Sequence, residues 1–137
     1  MMERTESINP ELDKHTIKAL VEHLANHKSC ITYGDLSDSI EAIRDKPMHA
    51  LRLAEVLGRI QDYCLKLRLP TLSALVVNQE TEMPGDQFIT RYRFNHPDAE
   101  TIDEEIIVHA AQEACKKCTS WQELYRHVGL NEDAPTV

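Results

Sequence analysis

Apolar positions recur along this chain in two rhythms, one helical and one alternating. Ile17, Leu20, Val21 and Leu24 fall three and four apart behind Asn9-Pro10-Glu11. There Asn can cap a helix, Pro suits its first turn and acids favour the positive end of the helix dipole. The spacing predicts a first helix ending near Asn26 to Lys28. Cys30-Ile31-Thr32 is a short β-prone piece, and Thr32 is an N-cap for a second helix through Leu36 and Ile40, with Gly34 in its first turn. Arg44-Asp45-Lys46-Pro47 reads as a loop, with Pro47 opening the next helix. Leu51, Leu53, Ala54, Val56, Leu57, Ile60, Tyr63, Cys64 and Leu67 then form a wide apolar stripe that Pro70 ends.

The second rhythm follows. Leu72 to Val77 is a short run with β-branched residues, bounded by Pro70 and by Asn78-Gln79-Glu80, the length of a buried strand. Phe88, Thr90, Tyr92 and Phe94 alternate with Ile89, Arg91 and Arg93, the period of a half-buried strand. Met83-Pro84-Gly85-Asp86 supplies turn chemistry between the two, so the pair predicts a β-hairpin with a projecting wing. Beyond Asn95-His96-Pro97, a helix carrying Ile106, Ile107, Ala110, Ala111 and Ala114 has acids at its start. Thr119-Ser120 breaks it and caps a short helix, Trp121 to His127, which Gly129 ends. The expected fold class is α+β: a winged-helix-like helix-turn-helix with a β-hairpin wing and additional C-terminal helices. Residues 1–9 and 131–137 are expected to be disordered, 10–94 to form the winged-helix core and 95–130 a C-terminal helical extension.

Composition narrows the picture. The 137 residues make one domain with one real core. No apolar run is long enough to span a bilayer, and residues 1–6 lack the basic start and apolar core of a secretory signal, so the expected location is the cytoplasm. Cys30, Cys64, Cys115 and Cys118 are then expected as reduced thiols. The formal charge is −8, with 15 basic and 23 acidic residues, which opposes bulk attraction to nucleic acid or anionic lipid. The charge is polarised. Residues 44–68 hold six basic and three acidic side chains, a local +3, whereas 95–137 hold three basic and nine acidic ones, a local −6.

Few residues offer chemistry. Cys115-x-x-Cys118, with His109 and His127 as further donors, has the spacing of half a metal site. It lies on a predicted helix with no second Cys pair, so buried or surface thiols are the expectation, with neither metal nor cofactor. A thioredoxin-like site would need a preceding strand in a βαβ unit. His23 and His27 lack the Glu that must directly follow the first His of a zinc-protease helix; Leu24 stands there. Ser73 is a lone hydroxyl on a predicted strand. No phosphate-binding glycine loop, dinucleotide fingerprint or Gly-x-Ser-x-Gly is present, and the chain is not expected to be an enzyme. The candidates for nucleic-acid binding are the cations of the third helix and wing: Arg44, Lys46, His49, Arg52, Arg59, Lys66, Arg91 and Arg93.

Thr32-Tyr33-Gly34-x-Leu36, a helix, Leu72-Ser73-Ala74-Leu75-Val76-Val77-Asn78 and Pro84-Gly85-x-x-Phe88 together resemble a group of small uncharacterised bacterial proteins. The same residues, about half the chain, resemble the DNA-binding domain of alkylguanine-DNA alkyltransferases, which carries a Tyr-Gly turn into a helix-turn-helix, a Pro-Cys-His-Arg-Val strand and a Gly-rich turn. The resemblance implies the winged-helix fold. It does not carry the activity, because Leu72, Ser73, Ala74 and Leu75 stand where Pro, the reactive Cys, His and Arg would be.

Two functions stay open on the sequence. One is a non-catalytic winged-helix interaction module that binds nucleic acid through the third helix and wing. The other is an acidic protein-binding inhibitor of the immunity or antitoxin type, meeting a basic nuclease toxin through Asp103, Glu104 and Glu105. Either is compatible with a homodimer, and neither involves a membrane.

Overall fold

A computed structural model describes residues 10–44 and 48–137. The expected disorder of residues 1–9, Lys46 as a candidate and Pro47 as a helix start lie outside the described residues. Six α-helices occur among those described: α1 Pro10–His27, α2 Tyr33–Arg44, α3 Ala50–Leu67, α4 Asp86–Asn95, α5 Glu104–Lys117 and α6 Trp121–Val128. Two-residue strands β1 (Ile31–Thr32) and β2 (Val76–Val77) pair in parallel, with Ile31 opposite Val76 and Thr32 opposite Val77. A 3-10 turn, Leu72–Leu75, leads into β2, and a second, Pro97–Ala99, links α4 towards α5.

Local signals mark the ends of several of these helices. Glu11 and Asp13 occupy the first turn of α1, whose Leu12, Ile17, Leu20, Val21 and Leu24 are fully buried. Thr32 caps α2, its Oγ1 accepting the Asp35 N–H at 3.1 Å. At the end of α3 Arg68 turns left-handed (φ 60°), and the Leu69 N–H reaches back to the Cys64 carbonyl at 2.9 Å. That is the six-to-one bond of a helix C-terminus, with Pro70 following. Gly129 takes the same role after α6 at φ 84°.

The winged-helix expectation is overturned. Among the described residues there is no β-hairpin: the only strand pair is parallel, and a parallel pair cannot be joined by a tight turn. The segment read as a wing strand, Phe88 to Phe94, is helix α4. Gly85 is its N-cap and Asp86 sits in its first turn. Phe88, Ile89 and Tyr92 share a helical face, whereas Phe94 is 83% exposed. Over seven residues an alternating pattern and a helical one overlap, and here the Pro-Gly-Asp start decided for helix. The segment read as the first hairpin strand is mostly the 3-10 turn, with only Val76 and Val77 extended. The fold is therefore predominantly helical rather than α+β.

The main core joins α1, α2, α3, the 3-10 turn, β2 and α6, with Trp121 and Tyr125 among its largest buried side chains. A smaller cluster of Ala74, Phe88, Ile89, Ala99, Ile107 and Val108 lies under α4 and α5. Residues 131–137, read from sequence as a disordered tail, form no helix or strand. The Ala134 N–H donates to Gln122 Oε1 at 2.7 Å, and Ala134 and Val137 pack against the main core.

Candidate functional site

Four segments far apart in sequence meet at one cleft of about 610 Å³. Tyr33, Gly34 and Ser37 come from the start of α2. Leu53, Ala54, Leu57, Gly58 and Gln61 come from one face of α3, the 3-10 turn adds Ser73, and Pro84, Gly85, Phe88 and Arg91 come from the approach to α4 and from α4 itself. The strand pairing explains the convergence. β1 runs into α2 and β2 follows the 3-10 turn, so pairing them sets Tyr33 and Ser73 on neighbouring segments.

Local bonds fix the walls. The Gly85 N–H donates to the Tyr33 hydroxyl at 2.8 Å, tying the entry of α4 to α2. That hydroxyl keeps its own proton to donate elsewhere. A Cβ on Gly85 would stand 3.1 Å from the Tyr33 oxygen, so the missing side chain is what lets the two approach. Gln61 donates to the Phe88 carbonyl at 3.2 Å and joins α3 to α4. Across the outer rim Arg91 pairs with both Asp62 oxygens at 3.1 and 2.9 Å. Gly58 leaves the room for this, because a Cβ there would lie 2.9 Å from the Arg91 guanidinium.

Ser73 stands apart from these partnered groups. It is 5% exposed, it lines the cleft, and its Oγ has no hydrogen-bond partner among the described residues. A buried hydroxyl left unpaired costs about 1–3 kcal/mol, so the position favours any occupant that bonds to it. Among the described residues the lining carries one carboxylate, Asp86, and no His, Cys, Lys or Glu. The space is thus a mainly apolar slot, with Ser73 and Tyr33 in its walls, Asp86 in its lining and a paired arginine at its rim.

Three of the cations predicted for nucleic acid, Arg59, Arg91 and Arg93, are taken by partners within the protein. Arg59 lies inward: its Nε and Nη2 grip Asp13 of α1 at 2.7 to 3.2 Å, and Tyr63 donates to the same carboxylate at 2.6 Å. Asp13 is buried, and its hydrogen bond to Arg59 pushes the guanidinium pKa up further. Arg91 is held by Asp62, and Arg93 donates to the Ile102 carbonyl at 2.7 Å. Arg44, His49, Arg52 and Lys66 remain, none in an ion pair among the described residues. His49 and Arg52 lie at the start of α3, Lys66 at its end and Arg44 at the end of α2. Asp103, Glu104 and Glu105 gather at the N-terminus of α5, with Asp103 as the N-cap residue; Asp103 and Glu105 are exposed and Glu104 is half-buried.

The cysteines lie within or beside the main core and all four are free. Burial raises every one of their pKa values, that of Cys64 to about 12, so the thiols stay protonated at neutral pH and are poor nucleophiles. Cys115 donates to the Thr71 carbonyl at 3.3 Å, a packing contact between α5 and the 3-10 turn. Among the described residues no three His, Cys, Asp or Glu side chains are placed to share a metal ion. The His23 and His27 rings lie 4.6 Å apart and tilted by 37°, and His23 Nε2 lies 3.2 Å from the Cys30 carbonyl, to which it can only donate.

The sequence reading named Tyr33, Gly34, Ser73, Pro84, Gly85 and Phe88 but did not assemble them into a site. It missed Gln61 and Gly58 altogether; the one signal for Gly58 was a glycine inside an otherwise strong helix. Among the described residues no helix is long and apolar enough to cross a membrane. No known protein family, curated protein or solved structure matches the chain.

Proposed function

We propose that this protein is a non-catalytic binding module and that its working site is the cleft between α2, α3 and α4. The observation that carries the reading is the buried hydroxyl of Ser73, unpartnered among the described residues, in the wall of a mainly apolar space of about 610 Å³. That volume falls inside the roughly 300–1,000 Å³ range of small-ligand sites. Walls of Leu53, Leu57, Pro84 and Phe88 suit a flat organic group of aromatic-ring size, and Ser73 with Tyr33 would bond its polar edge. The cytoplasm is the compartment this reading assigns, where four free thiols are stable.

Ligand-observed NMR with a set of flat heteroaromatic fragments tests the proposal. Fragments are expected to bind, and Ala54→Phe, which fills the slot from α3, is expected to remove the signal while leaving the circular dichroism unchanged. Binding that survives both Ala54→Phe and Ser73→Ala would sink it.

A nucleic-acid reading is supported by Arg44, His49, Arg52 and Lys66, which no acid neutralises among the described residues. With a net charge of −8 it predicts weak, salt-sensitive binding. An electrophoretic shift at low salt on duplex and single-stranded DNA checks it. No shift at micromolar protein removes this reading and leaves the cleft proposal standing.

A further inference from the structure

We propose that the outer face of α5 is a homodimer interface, formed by a second copy of this chain packed antiparallel about a two-fold axis near Ala110. Ile106 is 61% exposed and Ile102 41%, beside a shallow groove of about 370 Å³ in which Ala110 and Ala114 also take part. Ile106, Ala110 and Ala114 are four apart, so they form one stripe along the helix. Its residues run from large to small, with Asp103 at the start of the stripe and Lys117 at its end.

That order is complementary to itself when reversed. Turned about Ala110, residue 106 faces 114 of the second copy and 103 faces 117. Each isoleucine then meets an alanine hollow, and each Asp103 carboxylate meets a Lys117 ammonium, twice by symmetry. Asp103 and Lys117 are both exposed, and neither makes an ion pair among the described residues. Paired Ala110 side chains at the centre allow the helix axes to approach to roughly 8 Å. A parallel arrangement would set Asp103 on Asp103 and Lys117 on Lys117. A uniformly basic partner helix would suit the acidic end only and be repelled by Lys117.

The net charge of −8 on each copy opposes association, so the dimer is expected to be weak and to strengthen as moderate salt screens the long-range repulsion. Sedimentation equilibrium on the full chain, from low micromolar to several hundred micromolar, reads the result. The wild type is expected to rise towards twice the monomer mass. Ala110→Glu, at an exposed position, is expected to hold it at the monomer mass with unchanged circular dichroism. Lys117→Glu and Asp103→Lys should each weaken the dimer about tenfold, and the two together should restore it to within about threefold. A wild type that stays monomeric overturns the proposal, including one that captures a Lys-rich amphipathic peptide instead. So does a dimer indifferent to Ala110→Glu. Failure of the double reversal to restore what both single changes weaken overturns the antiparallel register.

Discussion

At the scale of single residues, Asp13 with Arg59 and Tyr63 forms a buried link between two helices. The carboxylate is 2% exposed and every partner comes from α3, so it pins α1 to that helix with charge-assisted bonds. Removing it strands a partly buried guanidinium. Asp13→Ala is expected to cost about 3–5 kcal/mol in urea unfolding; a loss below about 1 kcal/mol would show the pair to be incidental. Tyr63 of this cluster and the buried Cys64 contribute to an alkaline limit, as do Cys115 and Tyr125, which burial raises too. Burial, and then the hydrogen bond to Asp13, raise the Tyr63 pKa from 10 to about 12, and burial raises Cys64 from 9 to about 12. In both cases the folded state holds the proton more tightly than the unfolded chain. Their stabilisation is complete below the ordinary values and is lost as pH climbs through the raised ones. The melting temperature should therefore decline between about pH 9 and 12, and Tyr63→Phe with Cys64→Ala should flatten that decline. An unchanged slope in the double variant would assign the alkaline loss to other groups. None of this was legible in the sequence, where Arg59 counted as one more cation of an amphipathic helix. Its partner lies 46 residues away, and no local pattern announces so distant a pairing.

At the scale of elements, local signals placed the helices well and misread the segment from 72 to 94. The Pro10 start of α1, the Thr32 cap of α2, the stop at Pro70 and the Gly129 end of α6 all depend on near neighbours, and each is found where the residues put it. The supposed hairpin depended on strand pairing, which is a long-range fact. The partner of Val76 is Ile31, which the sequence reading had marked as β-prone without a direction. A helix and a wing make different demands on two phenylalanines. In a strand, Phe88 and Phe94 would face the same side and matter alike. In α4, Phe88 is buried and Phe94 is not. Phe88→Ala should thus cost about 3 kcal/mol and Phe94→Ala less than about 0.5 kcal/mol. Equal losses in chemical denaturation would restore the strand. At the end of α3 the left-handed Arg68 carries a Cβ penalty that glycine avoids. Arg68→Gly is expected to be neutral to stabilising by up to about 1 kcal/mol, part of the gain being offset by the freer unfolded chain.

At the scale of the molecule, charge counted along the chain proved a poor guide to charge in space. The local +3 of residues 44–68 loses Arg59 to Asp13 of α1, while Asp62 of the same stretch is taken by Arg91 of α4, so the basic stripe is interrupted at its middle. The cleft shows the converse. Its residues were individually visible as a Tyr-Gly turn, a Leu-Ser-Ala-Leu run and a Pro-Gly turn. Only the parallel pairing of β1 with β2, across 45 residues, makes them one site. Long-range joins of this kind also bear on the expected division into a core at 10–94 and an extension at 95–130. Trp121, Leu124, Tyr125 and Cys115 belong to the same cluster as Leu20, Ile60 and Leu72, and Gln112 donates to the Ala74 carbonyl at 2.9 Å, beside the strand pair. Cutting the chain after α4 would expose α1 and α3 along the face that α6 covers and leave the Ala74 carbonyl unbonded. Residues 10–94 alone are therefore expected to show no cooperative transition in thermal or urea unfolding, whereas the whole chain should melt in a single step by both circular dichroism and Trp121 fluorescence. A sharp transition in the 10–94 fragment would mean that the first four helices suffice, and that α5 and α6 are an appendage rather than part of the core.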